Sequence, residues 1–238
     1  MPLHEPLHCR LDAFTALRDQ LPELETTRGL VRSAVAVSMH ELDHADIINV
    51  EIELDDYARQ ILDRIHNPNN TRALVAHTHE VLFEEARFRG NLGDYDNPRN
   101  SYLGSVLRTR LGLPITLALV YKAVLDGVGV PCYGINAPGH FLAALPADAT
   151  SQVVGDDPIT FIDPFAGGRL LTRAEAMHRV RQTSPHAFLE DGEPLPIASH
   201  KQWLLRLIRN LIAGFERRDQ HRDTAAMLEM TRMIEENV

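Results

Sequence analysis

Gly112-Leu113-Pro114-Ile115-Thr116-Leu117-Ala118-Leu119-Val120-Tyr121-Lys122-Ala123-Val124-Leu125-Asp126-Gly127-Val128-Gly129-Val130-Pro131 organises the chain around it. Gly112-Leu113-Pro114 breaks whatever precedes it. Pro114 then suits the first turn of a new helix, where its missing N–H costs nothing. From Ile115 to about Asp126 the residues are apolar nearly all round, and a helix without a polar face is a core helix. Gly127 and Gly129 end it. Three β-like runs follow, Val130 to Ala137, His140 to Leu145 and Ile159 to Ile162. Contiguous strands on short turns predict antiparallel pairing. The expectation is an α+β, helix-rich core: a buried helix against a small antiparallel sheet.

Helical pattern flanks this core. Leu54, Tyr57, Ala58, Ile61, Leu62 and Ile65 form one apolar stripe, started near Asp55–Asp56 and ended by Asn67-Pro68. A second helix is read from about Thr71 to Arg87 and a weaker one over Leu30 to Leu42. Asn100 or Ser101 is read as the cap of a helix running to about Arg110. Leu204, Leu207, Ile208, Leu211, Ile212 and Phe215 mark a strong amphipathic helix, and Ala226, Leu228, Met230 and Ile234 a last one. The composition divides the chain into an N-terminal helical region (1–90), a core (91–182), a Pro/Asp/Gly-bearing linker (183–199) and a C-terminal helix pair (200–238).

Composition narrows function. Of 238 residues 44% are apolar and 24% charged, which is globular and excludes collagen-like or disordered chains. The 24 Lys and Arg face 33 Asp and Glu, a net charge of −9 that repels phosphate backbones and argues against nucleic-acid binding. No run approaches the roughly 18 apolar residues of a membrane span. Met1-Pro2-Leu3-His4-Glu5-Pro6 lacks a signal peptide's basic and apolar regions. A cytoplasmic protein with reduced thiols is expected, with no membrane, metal or cofactor. Two cysteines, Cys9 and Cys132, exclude a disulfide framework and a four-cysteine zinc site. Any nucleophilic thiol must be one of these two.

Several histidine and acidic clusters invite chemistry. His40-Glu41-Leu42-Asp43-His44 matches the zinc-protease pattern H-E-x-x-H. Twelve histidines make such a match cheap, however, Asp43 puts a charge at an uncharged position, and no third ligand follows. A solvated helix end is the preferred reading. His77 and His79, at i and i+2 on a helix, do not converge on one metal. His4, His8 and Cys9 read as a frayed terminus. Asp94-Tyr95-Asp96-Asn97-Pro98-Arg99-Asn100 lacks the glycine and glutamate of a calcium loop. His140 and Asp163 differ from these. Each heads or ends a predicted strand, so neighbouring strands can set the imidazole beside the carboxylate, two thirds of a nucleophile–His–Asp triad. A structural His–Asp hydrogen bond is the plain alternative.

The order of Gly112-Leu113-Pro114, the apolar helix, Gly129-Val130-Pro131, His140 and Asp163-Pro164 resembles the transglutaminase-like, papain-related superfamily. Longer blocks resemble its bacterial SirB-type family: Arg89-Gly90-Asn91, Asp96-Asn97-Pro98-Arg99-Asn100-Ser101-Tyr102-Leu103, Gly112-Leu113-Pro114-Ile115-Thr116-Leu117, Pro138-Gly139-His140-Phe141-Leu142 and Asp163-Pro164-Phe165-Ala166-Gly167-Gly168. The resemblance implies a transglutaminase-like core joined to C-terminal tetratricopeptide-type helices. It also puts the superfamily's nucleophile at Pro114, with His140 and Asp163 intact. Cys132 falls on a strand and misses the helix N-terminus that would lower its pKa. Thr116 is the best substitute hydroxyl. The expected function is therefore a degenerate, non-catalytic protein whose groove (Asn100, Pro114, Thr116, His140, Asp163) binds a protein or peptide. The alternative is a hydrolase or acyltransferase with a non-standard nucleophile, Thr116 or Cys132.

Overall fold

A computed structural model describes residues 5–150, 159–184 and 195–237 of the chain. The predicted core helix, α6 (Pro114–Gly127), follows α1 (Leu11–Gln20), α2 (Thr27–Ser38), α3 (Ile47–Leu62), α4 (Thr71–His79) and α5 (Leu103–Thr109). Pro114 occupies its first turn, and every residue from Pro114 to Lys122 is buried. Helices α2, α3 and α5 pack around α6 on one side, and a sheet closes the other. The helix ends at Gly127, and Gly129 at φ +82° turns the chain out of it.

The sheet is antiparallel, in the order β3 (Tyr133–Ile135), β4 (Leu142–Pro146), β5 (Ile159–Asp163), β6 (Arg169–Leu171). Register pairs Ala143 with Ile162 and Asp163 with Arg169. Alternation splits its faces. Phe141, Ala143, Leu145 and Ile162 join the large core around α6. Leu142, Ala144, Phe161 and Leu171 face the other way, onto Ala176, Met177 and Val180 of α7 (Arg173–Thr183). A strand with period-two side chains buried on both faces needs a layer on each side. Two further two-residue strands, β1 (Arg89–Gly90) and β2 (Leu111–Gly112), pair in parallel beside the start of α6.

The C-terminal helices are α8 (His200–Glu216) and α9 (His221–Asn237). Ser199 and Gln202 form a capping box that starts α8. Trp203, Leu204, Leu207, Ile208, Leu211 and Phe215 are buried, and Trp203 Nε1 donates to the Ile115 carbonyl at 3.3 Å. This contact seats α8 on the first turn of α6. The large core extends from Cys9 through α6 to Ile234.

Several sequence expectations change in detail. Helix α3 starts at Asp46, whose carboxylate accepts from Ile48 N and Asn49 N, well before Asp55. The helix read over Thr71 to Arg87 is α4 followed by a π-helical turn, Glu80–Glu85. Asn100 caps nothing: Asn97 caps a 3-10 turn, Pro98–Ser101, and α5 begins after Tyr102 without a side-chain cap. Leu228 lies on the solvent side of α9, with Met227 and Met233 buried instead. Of the expected linker, 185–194 lie outside the described residues. Beyond them Asn136 N bonds the Pro196 carbonyl and Ala198 N the Gly134 carbonyl, so the chain runs along the edge of β3.

Candidate functional site

His140 and Asp163 meet as their strands predict. Pro138-Gly139 turns the chain into β4, with Gly139 at φ +67° and packed so closely that a Cβ would lie 2.3 Å from Ser184 Oγ. His140 follows, 5% exposed. Asp163 ends β5 and is wholly buried. Its Oδ1 accepts from Phe165 N at 3.1 Å and Ala166 N at 3.2 Å, capping the next turn. Its Oδ2 lies 3.2 Å from His140 Nε2 and 3.5 Å from Arg179 Nε on α7. Neither approach has hydrogen-bond alignment, and both His140 Nε2 and Asp163 Oδ2 are buried without a hydrogen-bond partner. Buried polar atoms left in this state are uncommon and call for an explanation.

The other quoted motifs converge on this pair and on the α6 N-terminus. Phe165 stacks edge-on to His140, with centroids 6.2 Å apart. Gly90 lets that same ring approach, since a Cβ there would meet it at 2.4 Å. Asn91 Nδ2 donates to Asn100 Oδ1 at 2.9 Å, and Asn100 Nδ2 donates to the Asp94 and Tyr95 carbonyls. The Asn100 carbonyl accepts from Leu113 N at 3.1 Å, one residue before Pro114. Asn100 is thus a brace for the loop in front of α6, with its own amide engaged.

The candidate nucleophiles fare poorly. Thr116 is fully buried, and its hydroxyl has no hydrogen-bond partner, His140 included. Cys132 is buried at the start of the sheet, and burial pushes its thiol well above its ordinary value. Cys9, also buried, is pushed up to about 12 by burial, then by Glu229 and Asp12. Neither thiol is ionised near neutrality, which is the form a nucleophile needs.

Two arginines were not legible as site residues. Arg206 on α8 donates to Asn136 Oδ1, to the Ala137 carbonyl at 2.6 Å and to the His140 carbonyl at 3.1 Å, pinning the turn that carries the imidazole. Burial pulls its guanidinium below its ordinary value. It sits off the apolar stripe of α8, between Leu205 and Leu207, where sequence shows only one more charge. Arg179 belongs to α7, a helix with no strong apolar period.

The remaining clusters have structural occupations. His40 to His44 is not helical. His40 is buried, its Nδ1 accepts from Arg10 N at 3.2 Å, and its Nε2 lies 3.0 Å from Asp223 Oδ1. Glu41 accepts from the Tyr102 hydroxyl at 2.5 Å. His77 and His79 turn to separate partners, Glu80 and the Tyr121 hydroxyl. Leu7, His8 and Cys9 donate their backbone N–H groups to the Glu229 carboxylate. His4 lies outside the described residues. Among the described residues no group of three or more His, Cys, Asp and Glu side chains could hold a metal ion, and no helix is long and apolar enough to cross a membrane.

A buried helix opening at Gly112-Leu113-Pro114, a turn carrying His140 two residues ahead of β4 and a strand ended by Asp163 define a transglutaminase-like protein. The model of the transglutaminase-like superfamily matches residues 48–209, and the chain belongs to that superfamily. A UPF0162 protein of Xylella fastidiosa is 32% identical over 190 residues, which are 79% of this chain and 65% of that protein. A UPF0162 protein of Pseudomonas aeruginosa is 32% identical over 163 residues, 67% of this chain and 54% of the relative. Human F-box only protein 21 is 31% identical over 197 residues, 82% of this chain and 28% of the relative. The chain therefore spans less than two thirds of each of these three relatives. No solved structure matches it.

Proposed function

We propose that this chain is a SirB-type member of the superfamily that has given up acyl-transfer chemistry and binds a protein or peptide partner. One observation carries the reading: among the described residues no hydroxyl or thiol hydrogen-bonds the buried His140 Nε2. Proline occupies the helix start, Thr116 is sealed in the core, and both thiols are buried and raised. A general base accelerates attack only by a group within hydrogen-bond reach. The reading places the partner surface over the Asn100 loop, the Pro114 turn and the His140–Asp163 pair, whose side chains are themselves buried. The division into residues 1–90, 91–182, 183–199 and 200–238 is retained as the functional one, with α8 and α9 as a tetratricopeptide-type pair. Free cysteines suit a reducing cytoplasm. The match to just over a quarter of F-box only protein 21 is what a module within longer proteins produces.

The test is labelling of the native full chain with an iodoacetamide probe for thiols and a fluorophosphonate probe for hydroxyls. Labelling of Cys9 and Cys132 is expected only after denaturation, and Thr116, an unactivated hydroxyl, is expected to stay unlabelled in both states. Native labelling of Cys132 or Thr116 that disappears in His140→Ala would overturn the reading in favour of a hydrolase or acyltransferase.

A further inference from the structure

We propose that the cleft along α7 docks an acidic peptide segment through Arg179 and Arg169, and that this docking is read at the His140–Asp163 pair. The inference deepens the partner-binding reading and rests on it.

The cleft encloses about 450 Å³ and is lined by Arg169, Leu171, Glu175, His178, Arg179 and Gln182 among others. That is within the usual span of roughly 300–1,000 Å³ for ligand pockets. Two guanidiniums face one carboxylate there, on a chain whose net charge is −9. The carboxylate is already committed. Glu175 Oε2 accepts from Thr172 N at 2.8 Å and from its hydroxyl at 3.0 Å, closing the capping box of α7, and Oε1 takes Arg169 at 3.1 Å.

Arg179 is less satisfied. Among the described residues its one ion pair is Asp163 at 3.5 Å, longer than a charge-assisted hydrogen bond of about 2.7–2.9 Å. A guanidinium carries five N–H donors in a planar fork suited to a carboxylate. Arg179 touches Asp163 through Nε while also lining the cleft. His178 and Gln182, joined at 3.0 Å, add polar groups beside it, and Leu171 adds an apolar wall. Cations over an apolar wall suit the carboxylate and methylenes of an acidic side chain.

The same guanidinium links the cleft to the buried pair. Asp163 Oδ2 lies between His140 Nε2 and Arg179 Nε without an aligned bond to either. A peptide carboxylate that draws Arg179 outward leaves that oxygen to the imidazole alone. Occupancy of the cleft then changes the hydrogen bonding of His140.

The experiment uses the full chain, a fluorescein-labelled peptide carrying four glutamates, and its glutamine counterpart. Fluorescence anisotropy should show the glutamate peptide binding. Losing one charge-assisted pair weakens binding by about tenfold or more, so Arg179→Gln and the glutamine peptide should each do so. Arg169→Gln, which keeps the backbone pairing with Asp163 and changes only a 58% exposed side chain whose ion pair is with Glu175, should weaken it without altering the thermal melt. Arg179→Lys should retain part of the binding, and Arg59→Gln on α3 all of it. In NMR, the His140 Nε2 resonance should move on adding the glutamate peptide to wild type and stay fixed in Arg179→Gln. Equal binding of the two peptides, unchanged binding by both arginine-to-glutamine variants, or stronger binding of a single-stranded oligonucleotide displaced by the same variants overturns the docking. A fixed His140 resonance in wild type overturns the coupling. These outcomes differ from native probe labelling, which would sink the non-catalytic reading and leave the peptide result standing.

Discussion

His40 and His140 each place Nε2 near a carboxylate oxygen, 3.0 Å from Asp223 and 3.2 Å from Asp163. Their surroundings then diverge. His40 spends both ring nitrogens, one accepting from Arg10 N and one on Asp223, itself 27% exposed and helped by Gln220. The arrangement ties the N-terminal segment and the end of α2 to α9, and nothing in it is left over. His140 and Asp163 are as deeply buried, yet their facing atoms lack an aligned partner, and Arg179 lies 3.5 Å from the same Asp163 oxygen. A pair that only stabilised the fold would be satisfied, as His40–Asp223 is, because an unmet buried donor or acceptor costs about 1–3 kcal/mol. The contrast separates a histidine with both ring nitrogens engaged from one whose Nε2 has no aligned partner.

Removing the carboxylates should break the comparison most sharply. Asp163→Ala strips the acceptor from two backbone N–H groups and leaves Arg179 without its ion pair, at an expected cost of about 4 kcal/mol. Asp223→Ala acts at a partly exposed site where water can replace the lost bonds, and should cost about 1 kcal/mol. Urea denaturation of the two variants measures both. Equal losses would mean that the buried pair is held no differently from the surface-linked one.

The histidines should reverse that order. His40→Ala leaves Arg10 N without its acceptor, frees Asp223 and opens a cavity, for about 2 kcal/mol. His140→Ala removes an atom that was already unpartnered and some packing on Phe165, for about 1 kcal/mol. Thermal melts at matched pH rank them. A larger loss at His140 would make its role structural and weaken the functional reading of the pair.

Legibility in the sequence followed the strength of local physics. Helix α6 was readable because Ile115 to Leu125 is apolar on every face, and α8 because its apolar residues keep the i, i+3, i+4 rhythm. The His140–Asp163 meeting was readable because two strand termini were marked by Pro138-Gly139 and Asp163-Pro164. Helix α7 was not, since only Ala176, Met177 and Val180 of its turns are buried and its remaining residues are mostly polar. Strand β6 spans three residues, too few for alternation to register. The Asn100 cap failed because the same side chain serves loop carbonyls and Asn91 instead, a long-range choice that propensity does not contain. Arg179 and Arg206 went unread for the same reason: their partners are set by how α7 and α8 pack, not by their neighbours in the chain.

His79 supplies a third environment and the smallest expected effect at neutral pH. Its Nε2 meets the Tyr121 hydroxyl at 2.7 Å rather than a carboxylate, with the Phe83 ring 5.4 Å away. Burial lowers its pKa to about 4, so the folded protein keeps the ring neutral. An unfolded histidine takes its proton near 6.5. Between these values the unfolded chain binds more protons, so His79 should cost stability as pH falls from about 6.5 and the loss should be complete below about 4. The slope is bounded by roughly 1.4 kcal/mol per pH unit, and partial exposure of the ring brings the expected value below about 1. His79→Gln should flatten the stability profile over that interval while leaving it unchanged above pH 7. Parallel profiles for variant and wild type would mean that the acid sensitivity does not come from His79.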